Sequence, residues 1–132
     1  MYKLAYNLKL QGVTNTKTMR GRGEDLWKRQ RGRFDHCLAD VPCSMDGRFS
    51  LLDEKSYLDW SEKKVKELAQ RMKYLLWSAV QCTKPGGLVV YSTCTTSPEE
   101  NEGVVDWVLQ KELSKLIVEQ VHVGGDLKQI PD

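Results

Sequence analysis

Lys84-Pro85-Gly86-Gly87-Leu88-Val89-Val90-Tyr91-Ser92-Thr93-Cys94-Thr95-Thr96-Ser97-Pro98-Glu99-Glu100 is the stretch whose reading decides how this chain folds. Residues 88–92 are a nearly continuous apolar run, the pattern of a strand covered on both faces of a parallel sheet. A helix start follows. Ser97 is placed as its N-cap, Pro98 at the first helical position and Glu100 as the acid of a capping box, and the helix is expected to reach about residue 113. Upstream, Lys84-Pro85-Gly86-Gly87 ends an amphipathic helix that begins after Ser61. On that helix Val65, Leu68, Ala69, Met72, Leu75, Leu76, Ala79 and Val80 fall on an i, i+3, i+4, i+7 stripe. Further out, residues 34–40 read as a second strand: Phe34, Cys37, Leu38, Ala39 and Val41 make a short apolar run ended by Pro42. A helix is expected at 2–10 with Gly12 as its stop, a weak strand at 13–18, and a last strand at 116–123 closed by Gly124-Gly125. Strands alternating with helices predict an α/β unit with a mostly parallel sheet.

Composition bounds the rest. The chain has 132 residues, 40% apolar and 29% charged, which fits one small globular domain and excludes disorder, collagen and a disulfide scaffold. Its longest apolar runs fall far short of a membrane span, and its first residues carry no signal-peptide apolar region. The expected location is therefore intracellular and cytoplasmic, with no membrane contact. Cys37, Cys43, Cys82 and Cys94 show no C-x-x-C spacing and no nearby histidine cluster, so neither a metal site nor a disulfide framework is expected.

The net charge of +2 conceals an asymmetry. Residues 1–33 hold nine basic and two acidic side chains, and residues 34–132 hold eleven and sixteen. Lys17, Arg20, Arg22, Lys28, Arg29, Arg31 and Arg33 surround only Glu24 and Asp25. Such a cluster suits a polyanion backbone. It equally suits a solvated loop.

Functional side chains of an open parallel sheet gather at the carboxyl ends of its strands. Two segments hold that position: Asp40-Val41-Pro42-Cys43-Ser44 after the first strand, and Ser92-Thr93-Cys94-Thr95-Thr96 after the second. If the two strands are neighbours, Cys43 and Cys94 face a common ligand. Cys94, just ahead of a capped helix, would gain thiolate character from the helix dipole. Two small residues in tight turns would explain the same spacing without chemistry, and Asp40 beside Pro42 fits an ordinary turn. Cys37, inside a strand, and Cys82, near a helix end, read as packing residues.

The segments 34–47 (Phe34-Asp35-His36-Cys37-Leu38-Ala39-Asp40-Val41-Pro42-Cys43-Ser44-Met45-Asp46-Gly47) and 84–102 resemble the two catalytic motifs of the Nop/Sun (Fmu-like) RNA 5-methylcytosine methyltransferases. The resemblance includes both cysteines, the Pro-Gly-Gly before the strand and the Ser-Pro-Glu-Glu-Asn-Glu after it. It implies a Rossmann-like class I methyltransferase fold, S-adenosylmethionine as methyl donor and rRNA or tRNA as partner. It also implies Cys94 as the nucleophile on cytosine carbon 6 and Cys43 as the aid to carbon 5 deprotonation and enzyme release. Asp40 is implied at both the cytosine ring and the cofactor, and Pro42, Ser44 and Arg48 as substrate contacts. The family's first strand, glycine-rich cofactor loop and second strand have no counterpart here. The 132 residues are accordingly expected to be the C-terminal portion of a catalytic domain, a partial fold whose strand at 13–18 has no neighbour. Its exposed sheet edge would then be open to self-association or to a missing domain. Arg20 falls where the family places an aspartate facing adenine, and an arginine cannot accept the adenine amino proton. Asp25 is the substitute if the loop is shifted. The alternative is a non-catalytic RNA-binding or interaction fragment of such an enzyme.

Overall fold

The computed structural model describes residues 2–112 and 115–119. Its elements in chain order are α1 (Tyr2–Leu10), α2 (Trp27–Gln30), β1 (Phe34–Asp40), α3 (Glu62–Cys82), β2 (Thr83–Ser92) and α4 (Glu102–Glu112), with single 3-10 turns at Gly23–Asp25, Asp46–Arg48 and Glu54–Ser56. Among the described residues β1 and β2 form one parallel pair. Two of the four expected strands, those at 34–40 and 88–92, and the long helix are therefore present, and the α/β class with them.

Helix α3 follows its sequence pattern. Ser61 stands extended as its N-cap and its hydroxyl accepts the Lys64 N–H at 3.2 Å. Val65, Ala69, Met72, Leu76 and Cys82 are buried along one stripe. Met72 and Leu76 of α3, with Val104 and Val108 of α4, cover Ala39 and Val41, and Val89 and Tyr91 pack against the same core. Ser78, also buried, donates to the Gly23 carbonyl at 2.7 Å and accepts the Trp27 N–H at 3.3 Å, pinning the turn before α2 to α3. A conserved-volume loss here would be costly, because fully burying a side chain such as Met72 contributes about 1.5–3 kcal/mol.

Four expectations are corrected. Residues 13–18 form no strand: a strand is a hydrogen-bonded ladder, and no described segment pairs with them. Residues 115–119 have no regular structure, while 120–123 and the glycine pair lie outside the described residues. Among the described residues the sheet is covered on one face only, since Leu38, Leu88 and Val90 are 70%, 47% and 43% exposed. The helix stop is also more than a stop. Phe34 pairs with Thr83 and His36 with Leu88, so residues 84–87 loop out opposite Asp35 alone, whose carboxylate accepts from Lys84 Nζ at 2.7 Å. Gly86 takes φ +77°, and a Cβ on Gly87 would lie 2.3 Å from the Asp35 carbonyl oxygen.

Candidate active site

Parallel pairing brings the ends of β1 and β2 level: Asp40 stands opposite Ser92, and the Val41 N–H donates to the Ser92 carbonyl at 3.3 Å. The two cysteine turns leave from these ends and meet. Cys43 Sγ and Cys94 Sγ are 3.2 Å apart, and the Cys94 backbone N–H donates to Cys43 Sγ at 3.4 Å. Cys43 is half-buried, Cys94 exposed, and Cys82 buried. Burial raises the Cys82 thiol, in keeping with a packing residue.

The expected source of Cys94 activation is not what the structure supplies. Helix α4 starts only at Glu102, with residues 98–101 in an irregular turn. The hydrogen bond with Cys43 instead pushes the Cys94 thiol up, burial and the neighbouring Cys43 adding to it, while the Arg48 charge draws it down and Asp40 raises it. Arg48 and Asp40 thus both act on this thiol, and both are exposed at the rim, as is Pro42.

The loop after Cys43 is bound to the turn after Cys94. Asp46 Oδ1 accepts the Thr96 N–H at 2.6 Å. Burial opposes ionisation of Asp46, yet the Thr96 amide and hydrogen bonds from Thr95 and Gly47 hold its carboxyl below the usual range. A Cβ on Gly47 would lie 3.0 Å from the Cys94 carbonyl oxygen, so the two backbones nearly touch. Met45 adopts φ +60°, the only described non-glycine residue in the left-handed region.

Ser44 is buried, and its hydroxyl is used inside the protein: it donates to Glu100 Oε2 at 2.5 Å and lies 3.2 Å from Thr95 Oγ1. Glu100, expected in a capping box, is wholly buried and accepts the Ser44 N–H at 2.9 Å. The box fails for that reason: the carboxylate is committed to a turn 56 residues away in sequence. Ser97 instead donates to Glu99 Oε2 at 2.7 Å, and Asn101 Nδ2 donates to the Thr95 carbonyl at 3.0 Å. Glu100, Asn101, Asp46 and Met45 were absent from the sequence-based site. A left-handed residue after Cys43-Ser44 was signalled only by Gly47 nearby.

The basic segment is exposed at Lys17, Arg20, Arg22, Lys28, Arg29, Arg31 and Arg33. Asp25 accepts from Lys28 Nζ at 2.6 Å and pairs with Arg22 at 3.6 Å, while Glu24 pairs with Arg71 at 2.6 Å. Asp25 is thus already engaged by two cations. Among the described residues no group of three or more His, Cys, Asp or Glu could hold a metal, and no helix is long and apolar enough to cross a membrane.

Similarity to known proteins identifies the parallel α/β pair, with a thiol on each strand-end turn, as part of an α/β methyltransferase fold. The model of the family described as 16S rRNA methyltransferase RsmB/F matches residues 1–129, and the chain belongs to that family. It is 41% identical over 113 residues to the tRNA (cytosine(49)-C(5))-methyltransferase of Pyrococcus abyssi, covering 86% of this chain and 36% of that protein. It is 49% identical over 71 residues to the ribosomal RNA small subunit methyltransferase F of Vibrio vulnificus, covering 54% of this chain and 15% of that protein. The crystal structure of NSun6 from Pyrococcus horikoshii with SFG superposes with a TM-score of 0.67 at 30% identity, covering 83% of this chain and 27% of that one. The chain therefore spans well under half the length of these relatives. The family resemblance drawn from the two cysteine motifs is borne out.

Proposed function

We propose that this chain is the thiol-bearing part of an RNA cytosine-5 methyltransferase acting on rRNA or tRNA, with Cys94 as nucleophile, Cys43 as proton acceptor and Asp40 at the cytosine ring. The observation that carries the reading is the 3.2 Å approach of Cys43 and Cys94 at the carboxyl ends of two paired strands, beside Asp40. Cytosine carbon 5 is a poor nucleophile. Addition of the Cys94 sulfur to carbon 6 makes it electron-rich, with Asp40 stabilising the adduct near ring nitrogen 3. Once carbon 5 has gained the methyl group, loss of its proton towards Cys43 lets the Cys94–carbon 6 bond break and restores the ring. S-adenosylmethionine, when bound, supplies the methyl group. Of the residues present, the exposed Asp40 carboxylate suits the cofactor's polar end. The relatives' names and the SFG of the NSun6 structure support this donor and substrate class.

A cytosine must leave its stack to reach such a rim, which favours single-stranded or looped RNA, and the exposed basic residues 17–33 suit its backbone. Pro42, exposed next to Cys43, and Arg48, whose charge acts on Cys94, are proposed to line the base. The sheet face of Leu38, Leu88 and Val90 favours a second element of the reading: the rest of the enzyme, or a second copy, covers it.

The test is covalent capture. RNA carrying 5-fluorocytosine, incubated with the chain and S-adenosylmethionine, has no carbon 5 proton to lose, so the Cys94 adduct persists and migrates as a shifted band. Cys94→Ala should abolish it. If the chain binds RNA but gives no adduct with or without Cys94, the non-catalytic RNA-binding fragment is the correct description.

A further inference from the structure

We infer that Glu100 is a positioning residue for the thiol pair, a buried clamp that fastens the Cys43 turn to the Cys94 turn and sets the separation of the two sulfurs. Its catalytic meaning rests on the function proposed above, but its geometry does not.

Glu100 is wholly buried, and no cation among the described residues pairs with it. Desolvating a carboxylate without a counter-ion is expensive unless hydrogen bonds replace the lost water. Both donors come from one residue, the neighbour of Cys43: the Ser44 N–H at 2.9 Å on Oε1 and the Ser44 hydroxyl at 2.5 Å on Oε2. The second distance belongs to a charge-assisted bond. Ser44 Oγ in turn meets Thr95 Oγ1 at 3.2 Å, and Thr95 follows Cys94 directly. Thr95 Oγ1 also accepts the Ser97 N–H at 3.1 Å, and the Tyr91 hydroxyl donates to the Glu100 carbonyl at 2.6 Å. Glu100 therefore holds the residue after Cys43 through its carboxylate and the end of β2 through its main-chain carbonyl, while the Ser44 hydroxyl carries the link on to the residue after Cys94.

Helix capping does not explain this placement, because α4 begins two residues later and the Glu100 side chain turns away from it. Packing does not explain it either, since an apolar residue would fill the site without desolvation cost. What the carboxylate does is fix Ser44 in two directions at once, and the Cys43 sulfur moves with Ser44. A displacement of about 1 Å at a reacting pair can cost on the order of a hundredfold in rate.

The experiment reads thiol coupling rather than turnover. The rate of Cys94 alkylation by iodoacetamide is followed against pH in the 132-residue chain by peptide mass spectrometry, for the parent, Cys43→Ser, Glu100→Ala, Glu100→Gln and the two double variants. Cys43→Ser, which replaces the thiol that bonds Cys94, is expected to lower the Cys94 titration. Glu100→Ala is expected to do the same, accelerating Cys94 alkylation at a pH below the midpoint by about threefold or more. Cys43→Ser should then add nothing. Glu100→Gln, whose amide still accepts from the Ser44 N–H and donates to its hydroxyl, should keep the parental profile. Circular dichroism confirms folding. If Glu100→Ala does not fold, Ser44→Ala, which keeps the backbone bond, is read the same way and should give a partial effect. The inference is overturned if a folded Glu100→Ala or Ser44→Ala chain retains the full effect of Cys43→Ser. Failure of 5-fluorocytosine capture by the parent would remove the proposed function while leaving this coupling measurable.

Discussion

The two faces of the β1–β2 pair carry similar side chains and differ in what meets them. On one face Ala39, Val41, Val89 and Tyr91 lie against Met72 and Leu76 of α3 and Val104 and Val108 of α4. On the other Leu38, Leu88 and Val90 are open among the described residues. The same apolar alternation thus yields stability on one side and an unsatisfied surface on the other. Stability comes from the cover, not from the strand's composition. The cysteine rim lies at the strand ends, with Cys43 packed against the covered core and Cys94 exposed. It is held by hydrogen bonds from buried polar groups, Ser44, Thr95, Ser97 and Glu100, and it can therefore remain formed although half of the sheet's environment is open.

The sharpest way to break this comparison is to remove mass from the covered face. Met72→Ala should lower stability by about 2–5 kcal/mol, as large-to-small core changes do, measured by urea unfolding. A loss comparable to that of an open-face substitution would mean α3 is not the cover described here. Next in size is the rim. Met45→Gly removes a side chain from a left-handed backbone position and should stabilise by about 1 kcal/mol in the same assay. No gain would show that the Met45 side chain contributes as much as its backbone costs.

Acid should then separate rim from faces. The Asp46 carboxyl is lowered in the folded chain from its ordinary value of 3.8. Its contribution is therefore complete above that value and is lost as pH falls through the folded one. Melting temperature should show this acid limb, and Asp46→Asn should flatten it; an unchanged limb would place the acid sensitivity elsewhere. The smallest effect is expected on the open face. Leu38→Ser and Val90→Thr should change stability by no more than about 0.5 kcal/mol. They should also reduce self-association in size-exclusion chromatography. If either unfolds the chain, the open face is covered in solution by something that holds the fold together.

Much of the architecture is readable in the sequence because it is periodic. The α3 stripe repeats over about four turns, and a 34–40 strand bounded by Pro42 has few rivals. The open face is not readable, since an apolar run says only that a strand wants cover on both sides. Nor is the strand loss at 13–18 visible locally: those residues have strand character, and what they lack is a partner. At the site, Cys43, Cys94 and Asp40 could be named from two motifs, whereas Glu100 could not. Its local context, Ser-Pro-Glu-Glu, spells a helix start, and only the pairing of β1 with β2 brings Ser44 within its reach.

The adjacent glycines of the loop before β2 look interchangeable in one dimension and are not. Gly86 is needed for its backbone angle and has open space where a Cβ would go, so asparagine or aspartate can replace it at modest cost. Gly87 has an ordinary angle but no room, with the Asp35 carbonyl and the Thr83 side chain both inside contact distance. In a saturation library the first position would tolerate a short list of substitutions and the second none. A labelling site or an insertion meant to leave the cysteine rim untouched therefore belongs at 86, one residue from a position where any addition would prise the two strands apart.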